Sequence, residues 1–245
     1  MLTISTPDGV AEAIVATPPS GSGPGVLFFM DAFGLRPRVQ DMVDEIASWG
    51  YVVMAPNVFY RDGTAAEIAP QGDMRTQEGR EAFFAFAGPR IGHLTSDLAE
   101  KDNDAYIAVL RSLPEVTDGP IGVVGFCMGT RLAMRAAGRH PEAVAACSGF
   151  HGGGLVTDAP DSPHLELATA KAEFLFGHAD NDGSLTPQNA ADLGEALDAA
   201  GLVSTNEMYE GAPHGYTMSD TSSWNEAAFV RAFANLKELY GRALG

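Results

Sequence analysis

Hydrophobic residues in this chain fall into short uninterrupted runs, and the segments between them have helical spacing. The runs at 26–30 and 51–56 are apolar at every position, which is typical of strands buried on both faces of a sheet. Residues 38–49 place apolar side chains at helical spacing and end at Gly50. Strand, helix and strand in this order indicate a parallel sheet.

The same pattern continues along the chain. Weak alternation over residues 1–16 predicts a hairpin, and the Pro-rich and Gly-rich run 18–25 predicts a loop. The further predicted elements are a helix from Thr95 or Ser96 to Leu113, strands at 121–126, 143–148, 172–176 and 204–209, and helices at 130–138, 188–200 and 224–240. Residues 57–90 lack a clear period, so we expect a long excursion with short helices over the sheet edge, an insertion that often shapes a pocket.

This order has no internal repeat and no interdomain linker. It predicts a single α/β domain over residues 1–245, with a mostly parallel, doubly wound sheet and an N-terminal antiparallel hairpin. The length of 245 residues and the hydrophobic content of 45% suit one large domain and are small for two.

Charge and cysteine content narrow the classes of partner. The 15 Lys and Arg against 32 Asp and Glu give a net charge of -17, which repels nucleic-acid phosphates and anionic lipids. No signal peptide is visible, and no stretch reaches the ~18 apolar residues of a membrane span. Because two cysteines make no disulfide framework, we expect a cytoplasmic protein. Because of the net negative charge, we expect it to bind neither nucleic acid nor membrane. The expected partner is a small-molecule substrate, and the expected state is a monomer or a homodimer.

The segment Gly125-Phe126-Cys127-Met128-Gly129 joins a predicted buried strand to a predicted helix. This is the strand, tight turn and helix that present a nucleophile at the top of an α/β-hydrolase sheet, with cysteine where serine is more usual. A β-carbon at either flanking glycine would collide with a neighbouring element, and the helix N-terminus favours the thiolate. Cys127 is therefore the predicted nucleophile, with a packed structural thiol as the alternative; Cys147, inside a predicted strand, is expected to be structural.

Loops after two later strands supply a carboxylate and a histidine in the order that the hydrolase arrangement requires. Asp180 and Asp182 follow the strand ending at Phe176, and His214 follows the strand ending near Tyr209. The ends of these strands converge at the ligand-binding edge of such a sheet. His214 would take the thiol proton while a carboxylate fixes its tautomer, and the residues alone leave Asp180 and Asp182 both open.

The remaining histidines are weaker candidates. His151 follows a predicted strand and opens a glycine loop, so it is a candidate for lining the pocket, with a plain loop role as the alternative. His178 is expected to face away from the site. No His, Cys, Asp and Glu cluster has metal-ligand spacing, and no glycine loop matches a phosphate-binding pattern. We therefore expect neither a metal nor a cofactor.

With these residues in place, the chain resembles the dienelactone hydrolase (carboxymethylenebutenolidase) family of α/β-hydrolases, from near Val26 to the final helix. The tight turn Gly125–Gly129, which carries the predicted nucleophile, is called the elbow. Cysteine at the centre of the elbow makes the resemblance specific. It implies cofactor-independent hydrolysis of a lactone or small activated ester through a thioacyl-enzyme, with Cys127, Asp180 and His214 as the triad. Asp180 is preferred to Asp182 because it matches the Gly-x-x-Asp spacing after the strand.

The resemblance also concerns the segment Met30-Asp31-Ala32-Phe33-Gly34. The family has a glutamate at the position of Asp31 that helps to control the protonation of the thiol. Because aspartate is one methylene shorter, its contact with Cys127 stays open, and the alternative is that it accepts backbone hydrogen bonds in its own turn. The implied oxyanion hole uses the backbone N-H groups of Ala32 and Met128.

Substrate recognition departs from the family pattern. Dienelactone hydrolases of aromatic degradation hold the substrate carboxylate with arginines, one of them shortly after the catalytic histidine, where residues 215–218 offer none. The candidate substrate-binding residues are Phe33, Arg75, Arg80, His151 and Tyr216, and further aromatic candidates for the pocket are Phe59, Tyr60, Phe83, Phe84 and Phe86. The competing hypothesis is a non-hydrolytic protein of the same fold that binds or senses a ligand through a redox-reactive Cys127.

Overall fold

A computed structural model of residues 1–245 contains one eight-stranded sheet. Its strands are β1 (Leu2–Thr6), β2 (Gly9–Ala16), β3 (Gly25–Phe29), β4 (Val52–Pro56), β5 (Ile121–Phe126), β6 (Val144–Phe150), β7 (Glu173–Ala179) and β8 (Ser204–Tyr209). They lie in the order β1-β2-β4-β3-β5-β6-β7-β8; β2 pairs antiparallel with β1 and β4, and every other pair is parallel. The predicted parallel sheet with its N-terminal antiparallel hairpin is confirmed.

Helices cover both faces of the sheet. They are α1 (Pro37–Ser48), α2 (Ala65–Ile68), α3 (Gln77–His93), α4 (Ser96–Ser112), α5 (Gly129–Arg139), α6 (Pro187–Ala199) and α7 (Glu226–Ala243), with a 3₁₀ helix at Pro163–Ala168. A side chain at Gly25 of β3 would meet Leu110 of α4. Gly122 of β5 lies beside Val26, the residue after Gly25, and a side chain there would meet Tyr240 of α7. Because successive positions of a strand point to opposite faces, α4 and α7 cover opposite sides. None of the helices combines the length and apolar character needed to cross a membrane.

The excursion over residues 57–90 differs from its prediction. Instead of short helices alone, it contains most of the 17-residue helix α3, which runs on to His93. This helix begins after Thr76, whose side chain accepts a hydrogen bond from the Gly79 N-H. The buried residues Phe83, Ala87 and Arg90 have helical spacing, but Phe84 and Phe86 between them are exposed. These exposed aromatics obscure the period, which explains why the pattern was not visible in the sequence.

Buried strands form the centre of the core. β3, β4 and β5 are buried at every position, as their uninterrupted apolar runs predict. Cys147 lies on β6 with no exposed surface, and burial raises the pKa of its thiol. This environment matches the structural role predicted for Cys147.

The turn after β5 is tightly enclosed. A β-carbon at Gly125 would lie 2.5 Å from the Thr130 nitrogen, and one at Gly129 would lie 2.6 Å from the Met30 carbonyl oxygen. Both neighbours are backbone atoms, so neither can move aside as a flexible side chain would. Cys127 itself has a φ of 54°, the left-handed backbone that costs a non-glycine residue about 1–3 kcal/mol.

We expect Gly129→Ala to lower the free energy of unfolding by more than about 2 kcal/mol, because the added methyl group meets the backbone at the end of β3. Urea denaturation measures this change. The matched control is Gly241→Ala in α7, where a β-carbon has no neighbour within 4 Å and alanine should be neutral or stabilise by up to about 1 kcal/mol. Equal effects of the two substitutions would show that the turn is not sterically closed.

Candidate active site

Three loops at the carboxyl ends of β5, β7 and β8 bring a thiol, a carboxylate and an imidazole together. The His214 Nε2 lies 3.1 Å from the Cys127 Sγ, and the His214 Nδ1 lies 2.5 Å from an oxygen of Asp182. The Cys127 N-H donates to the Phe150 carbonyl oxygen at 3.1 Å, which fixes the turn against the end of β6. Cys127 and His214 therefore meet as the sequence predicts, and the carboxylate beside them belongs to Asp182.

The preference for Asp180 over Asp182 is wrong in this geometry. β7 continues to Ala179, three residues beyond the end of the predicted strand, so Asp180 is the first residue after the strand. Its carboxylate accepts a hydrogen bond from the Gly211 N-H at 2.9 Å, and its own N-H donates to Ala212 at 2.7 Å. The chain then turns through Asn181, whose φ is 53°, and the following residue reaches His214. The Gly-x-x-Asp spacing missed this extra turn.

The contact between Asp182 and His214 shifts the pKa values of both side chains. Burial opposes ionisation of Asp182, but hydrogen bonds from His214 and from the N-H and hydroxyl of Ser184 outweigh it and lower the pKa of Asp182 to about 2. Burial likewise opposes protonation of His214, but its hydrogen bonds to Asp182 and Cys127 raise the pKa of His214 to about 10. At neutral pH the imidazole is therefore an imidazolium, and it lies between the carboxylate of Asp182 and the Sγ of Cys127.

These pKa shifts define a window of stability. The lowered pKa of Asp182 stabilises the fold above its ordinary value of 3.8, and this contribution is lost as the pH falls through about 2. The raised pKa of His214 stabilises the fold fully below its ordinary value of 6.5, and this contribution is lost as the pH rises through about 10. Both contributions are thus present together between these ordinary values and decline outside them.

The backbone N-H groups of Ala32 and Met128 are free to receive a ligand. No hydrogen bond within the chain uses either group, although both residues are only 5% exposed. Buried N-H groups are almost always paired, so two free donors beside a nucleophile are unusual. The close packing of Gly129 against the Met30 carbonyl brings the loop after β3 next to the turn that contains Cys127.

Asp31 is held by an arginine instead of reaching the thiol. Arg36 donates to both oxygens of Asp31, at 2.6 and 2.9 Å, and to Asp220 at 2.6 Å. Asp31 also accepts a hydrogen bond from the Phe33 N-H at 3.0 Å, and it has no hydrogen bond to Cys127. The alternative prediction, a role within its own turn, describes this geometry, and the predicted thiol-modulating contact is absent. Arg36 is not among the predicted site residues, and its only signal in the sequence is its position five residues after Asp31.

A cavity of about 120 Å³ opens beside Cys127 and His214. Its other lining residues are Asp31, Ala32, Phe33, Arg80, Phe84, His151, Gly215, Met218, Thr221 and Ser223. Of the predicted substrate-binding residues, Phe33, Arg80 and His151 are therefore in the wall. Arg75 is exposed and donates to the Ser219 carbonyl, and Tyr216 is buried with its hydroxyl donating to Gly177 at 3.0 Å, so the structure does not place either in the wall.

The remaining candidates occupy other places. Phe84 lines the cavity, whereas Phe59, Tyr60, Phe83 and Phe86 do not. His178 is buried beside Asn206, with 2.6 Å between its Nε2 and the amide oxygen, and does not contact the site. No group of three or more His, Cys, Asp or Glu side chains is arranged to hold a metal ion.

Solved structures share this fold. A putative dienelactone hydrolase from Klebsiella pneumoniae superposes with a TM-score of 0.83 at 19% identity, over 98% of this chain and 96% of that one. An acylaminoacyl peptidase from Pyrococcus horikoshii superposes with a TM-score of 0.67 at 14% identity, over 99% of this chain and 41% of that one. Together with the sheet order and the elbow, these likenesses define an α/β-hydrolase fold.

Sequence comparison then defines the family. The profile of the dienelactone hydrolase family matches residues 11–244. A putative carboxymethylenebutenolidase from Synechocystis sp. is 28% identical over 227 residues, which is 90% of this chain and 86% of the relative. A carboxymethylenebutenolidase from Rhodococcus opacus is 28% identical over 204 residues, 82% of this chain and 73% of the relative. The chain belongs to the dienelactone hydrolase family and is an ester hydrolase.

We expect Asp182→Asn to lower the pKa of His214 from about 10 toward 6.5, because the substitution removes the charge that Nδ1 contacts. Asp180→Asn is the matched control and should leave the pKa of His214 unchanged, since its carboxylate contacts the Gly211 N-H. Titration of the imidazole by NMR measures both values. A lower pKa of His214 in Asp180→Asn, with no change in Asp182→Asn, would identify Asp180 as the acid instead.

Proposed function

We propose that this chain hydrolyses a lactone or a small activated ester with Cys127 as nucleophile, His214 as the proton carrier and Asp182 as the acid. The observation that carries the proposal is the position of His214, 3.1 Å from the thiol and 2.5 Å from the carboxylate, in the wall of a cavity. Membership of the dienelactone hydrolase family and relatives named carboxymethylenebutenolidase support the same reaction class.

In this reaction His214 starts as the imidazolium, because its pKa is raised to about 10, and Cys127 supplies the attacking thiolate. The Cys127 Sγ attacks the carbonyl carbon, and the oxyanion that forms accepts hydrogen bonds from the N-H groups of Ala32 and Met128. As the carbon-oxygen single bond breaks, His214 gives its proton to the departing alkoxide. A thioester on Cys127 remains; in a lactone the alcohol stays attached to the acyl group.

Water completes the cycle. The now neutral His214 takes a proton from a water molecule, and the hydroxide attacks the thioester carbon. The second tetrahedral intermediate expels the Cys127 thiolate and releases a carboxylic acid, which ionises at neutral pH. Asp182 keeps its charge throughout and stabilises the imidazolium that is present at the start and again after the attack by water.

Cavity size and charge restrict the substrate. Arg80 is the only arginine in the wall; its Nη1 donates to Ser222 at 2.6 Å and to Met74 at 3.1 Å, and its Nε and Nη2 make no hydrogen bond. Arg36 is nearby but holds the carboxylates of Asp31 and Asp220. The cavity thus offers one free cation, which suits a small substrate with at most one carboxylate.

We expect an acyl group to appear on Cys127 during turnover of a panel of unsaturated lactones and aryl esters. Intact-mass spectrometry detects the adduct, and Cys127→Ser is the matched control that should lose both adduct and most turnover. His214→Ala should slow acyl transfer by ~100-fold or more while the chain stays folded. Undiminished turnover by Cys127→Ala would exclude the covalent route through this thiol. A reactive Cys127 with no turnover on the whole panel would favour the competing hypothesis of a ligand sensor.

We expect Arg80→Gln to raise the KM of an ester with one carboxylate by ~10-fold or more, because a charged hydrogen bond is lost. The KM of a neutral aryl ester with the same reacting group should stay within ~2-fold. Arg75→Gln is the matched control outside the cavity and should change neither value. Steady-state kinetics on the two esters provides the measurement. An equal increase in KM for both esters would show that Arg80 does not recognise the substrate carboxylate.

A further inference from the structure

Three residues other than glycine have left-handed backbone angles, and all three lie at the same edge of the sheet. They are Cys127 with a φ of 54°, Asn181 with 53° and His151 with 42°, in the loops after β5, β7 and β6. Cys127 presents the thiol, and Asn181 makes the turn that delivers Asp182. His151 has no role in the proposed reaction, although glycines occupy the next three positions. A strained residue of this kind points to a function of its side chain.

The backbone at His151 is joined to the elbow. Its N-H donates to the Gly177 carbonyl oxygen at 2.9 Å, and the preceding residue, Phe150, accepts the N-H of Cys127. The residue is completely buried, yet its ring forms part of the cavity wall. The imidazole is thus fixed at the centre of the site, between the strand that ends at the nucleophile and the strand that leads to the acid.

The imidazole contacts the loop of the proposed proton carrier in two ways. Its Nε2 lies 2.7 Å from the hydroxyl oxygen of Thr217, three residues after His214, and Arg38 holds the carbonyl of the same threonine at 2.7 and 3.1 Å. Its ring also packs at a steep angle against the ring of His214, with centroids 5.3 Å apart, and against Tyr216 at 5.0 Å. One neutral side chain therefore supports both the ring of His214 and the loop behind it.

The charge state of His151 suits this position. Burial, and then the proximity of His214, lower its pKa well below the ordinary value of 6.5. The titratable groups that face it are His214 and Tyr216, with Asp182 beyond His214. A neutral ring can pack against an imidazolium, whereas a second cation at this distance would repel it.

We propose that His151 is a positioning residue that holds the ring of His214 in line with Cys127, through the edge contact with that ring and the hydrogen bond to Thr217. The proposal rests on the proposed function, because it needs His214 to be the partner of the thiol. Asp182 fixes only the Nδ1 end of the ring, and the edge contact with His151 limits rotation about the axis that Asp182 leaves free.

The test is the pH dependence of Cys127 alkylation by iodoacetamide, which needs no ester substrate. His151→Asn removes the ring but keeps a residue that tolerates the left-handed backbone, and we expect the alkylation rate at about pH 6 to fall by ~10-fold. Thr217→Val keeps the shape, removes the hydrogen bond, and should give a fall of ~3-fold in the same assay. On an ester that the wild type cleaves, His151→Asn should lower kcat by ~10-fold with KM within ~2-fold.

His178→Asn is the matched control. His178 is also a buried histidine with one hydrogen-bonded nitrogen, but its partner is Asn206, away from the thiol. Its alkylation profile should be that of the wild type. Wild-type profiles for both His151→Asn and Thr217→Val would overturn the proposal, and a raised KM with unchanged kcat would make His151 a substrate contact instead. Because alkylation is measured without ester, a failure of wild-type turnover would count against the proposed function alone.

Discussion

The charged hydrogen-bond chain from Asp182 through His214 to Cys127 is the interaction on which the site depends. Its two contacts join loops from β5, β7 and β8, which lie far apart in sequence. The parallel order β5-β6-β7-β8 brings the carboxyl ends of these strands to one edge. β6 separates the nucleophile from the acid, so the residue that follows this strand, His151, lies between them and against the base. The sheet order thus determines which side chains can take part.

Close backbone packing and one buried arginine hold the loops that carry these three residues in place. The elbow closes on itself at Gly125 and on the end of β3 at Gly129, and the second contact brings Ala32 next to Cys127. Arg36 then fixes the loop after β3 by binding Asp31, and it ties that loop to Asp220, beyond His214. Removing Arg36 would leave the buried carboxylate of Asp31 without its countercharge, which is costly. Arg36 therefore connects the two walls of the cavity and has no free group for a substrate.

Much of the fold follows from local patterns, and much of the site does not. Uninterrupted apolar runs and the glycine-flanked cysteine identify the parallel sheet and the elbow, because burial on two faces and a closed turn leave clear marks in a sequence. The choice of Asp182 over Asp180 depends on where β7 ends, and strand ends are poorly marked. Helix α3 escaped detection because Phe84 and Phe86 are exposed. Arg36 escaped because its partner Asp220 lies 184 residues away.

The ultraviolet absorbance of the Cys127 thiolate tests the central claim most directly. The difference spectrum between the wild type and Cys127→Ala isolates this one sulfur, since Cys147 is present in both proteins and has its pKa raised by burial. We predict a thiolate signal at neutral pH that is largely lost when Asp182→Asn is introduced into both proteins. A wild-type difference spectrum without thiolate, or one that Asp182→Asn leaves unchanged, would contradict it.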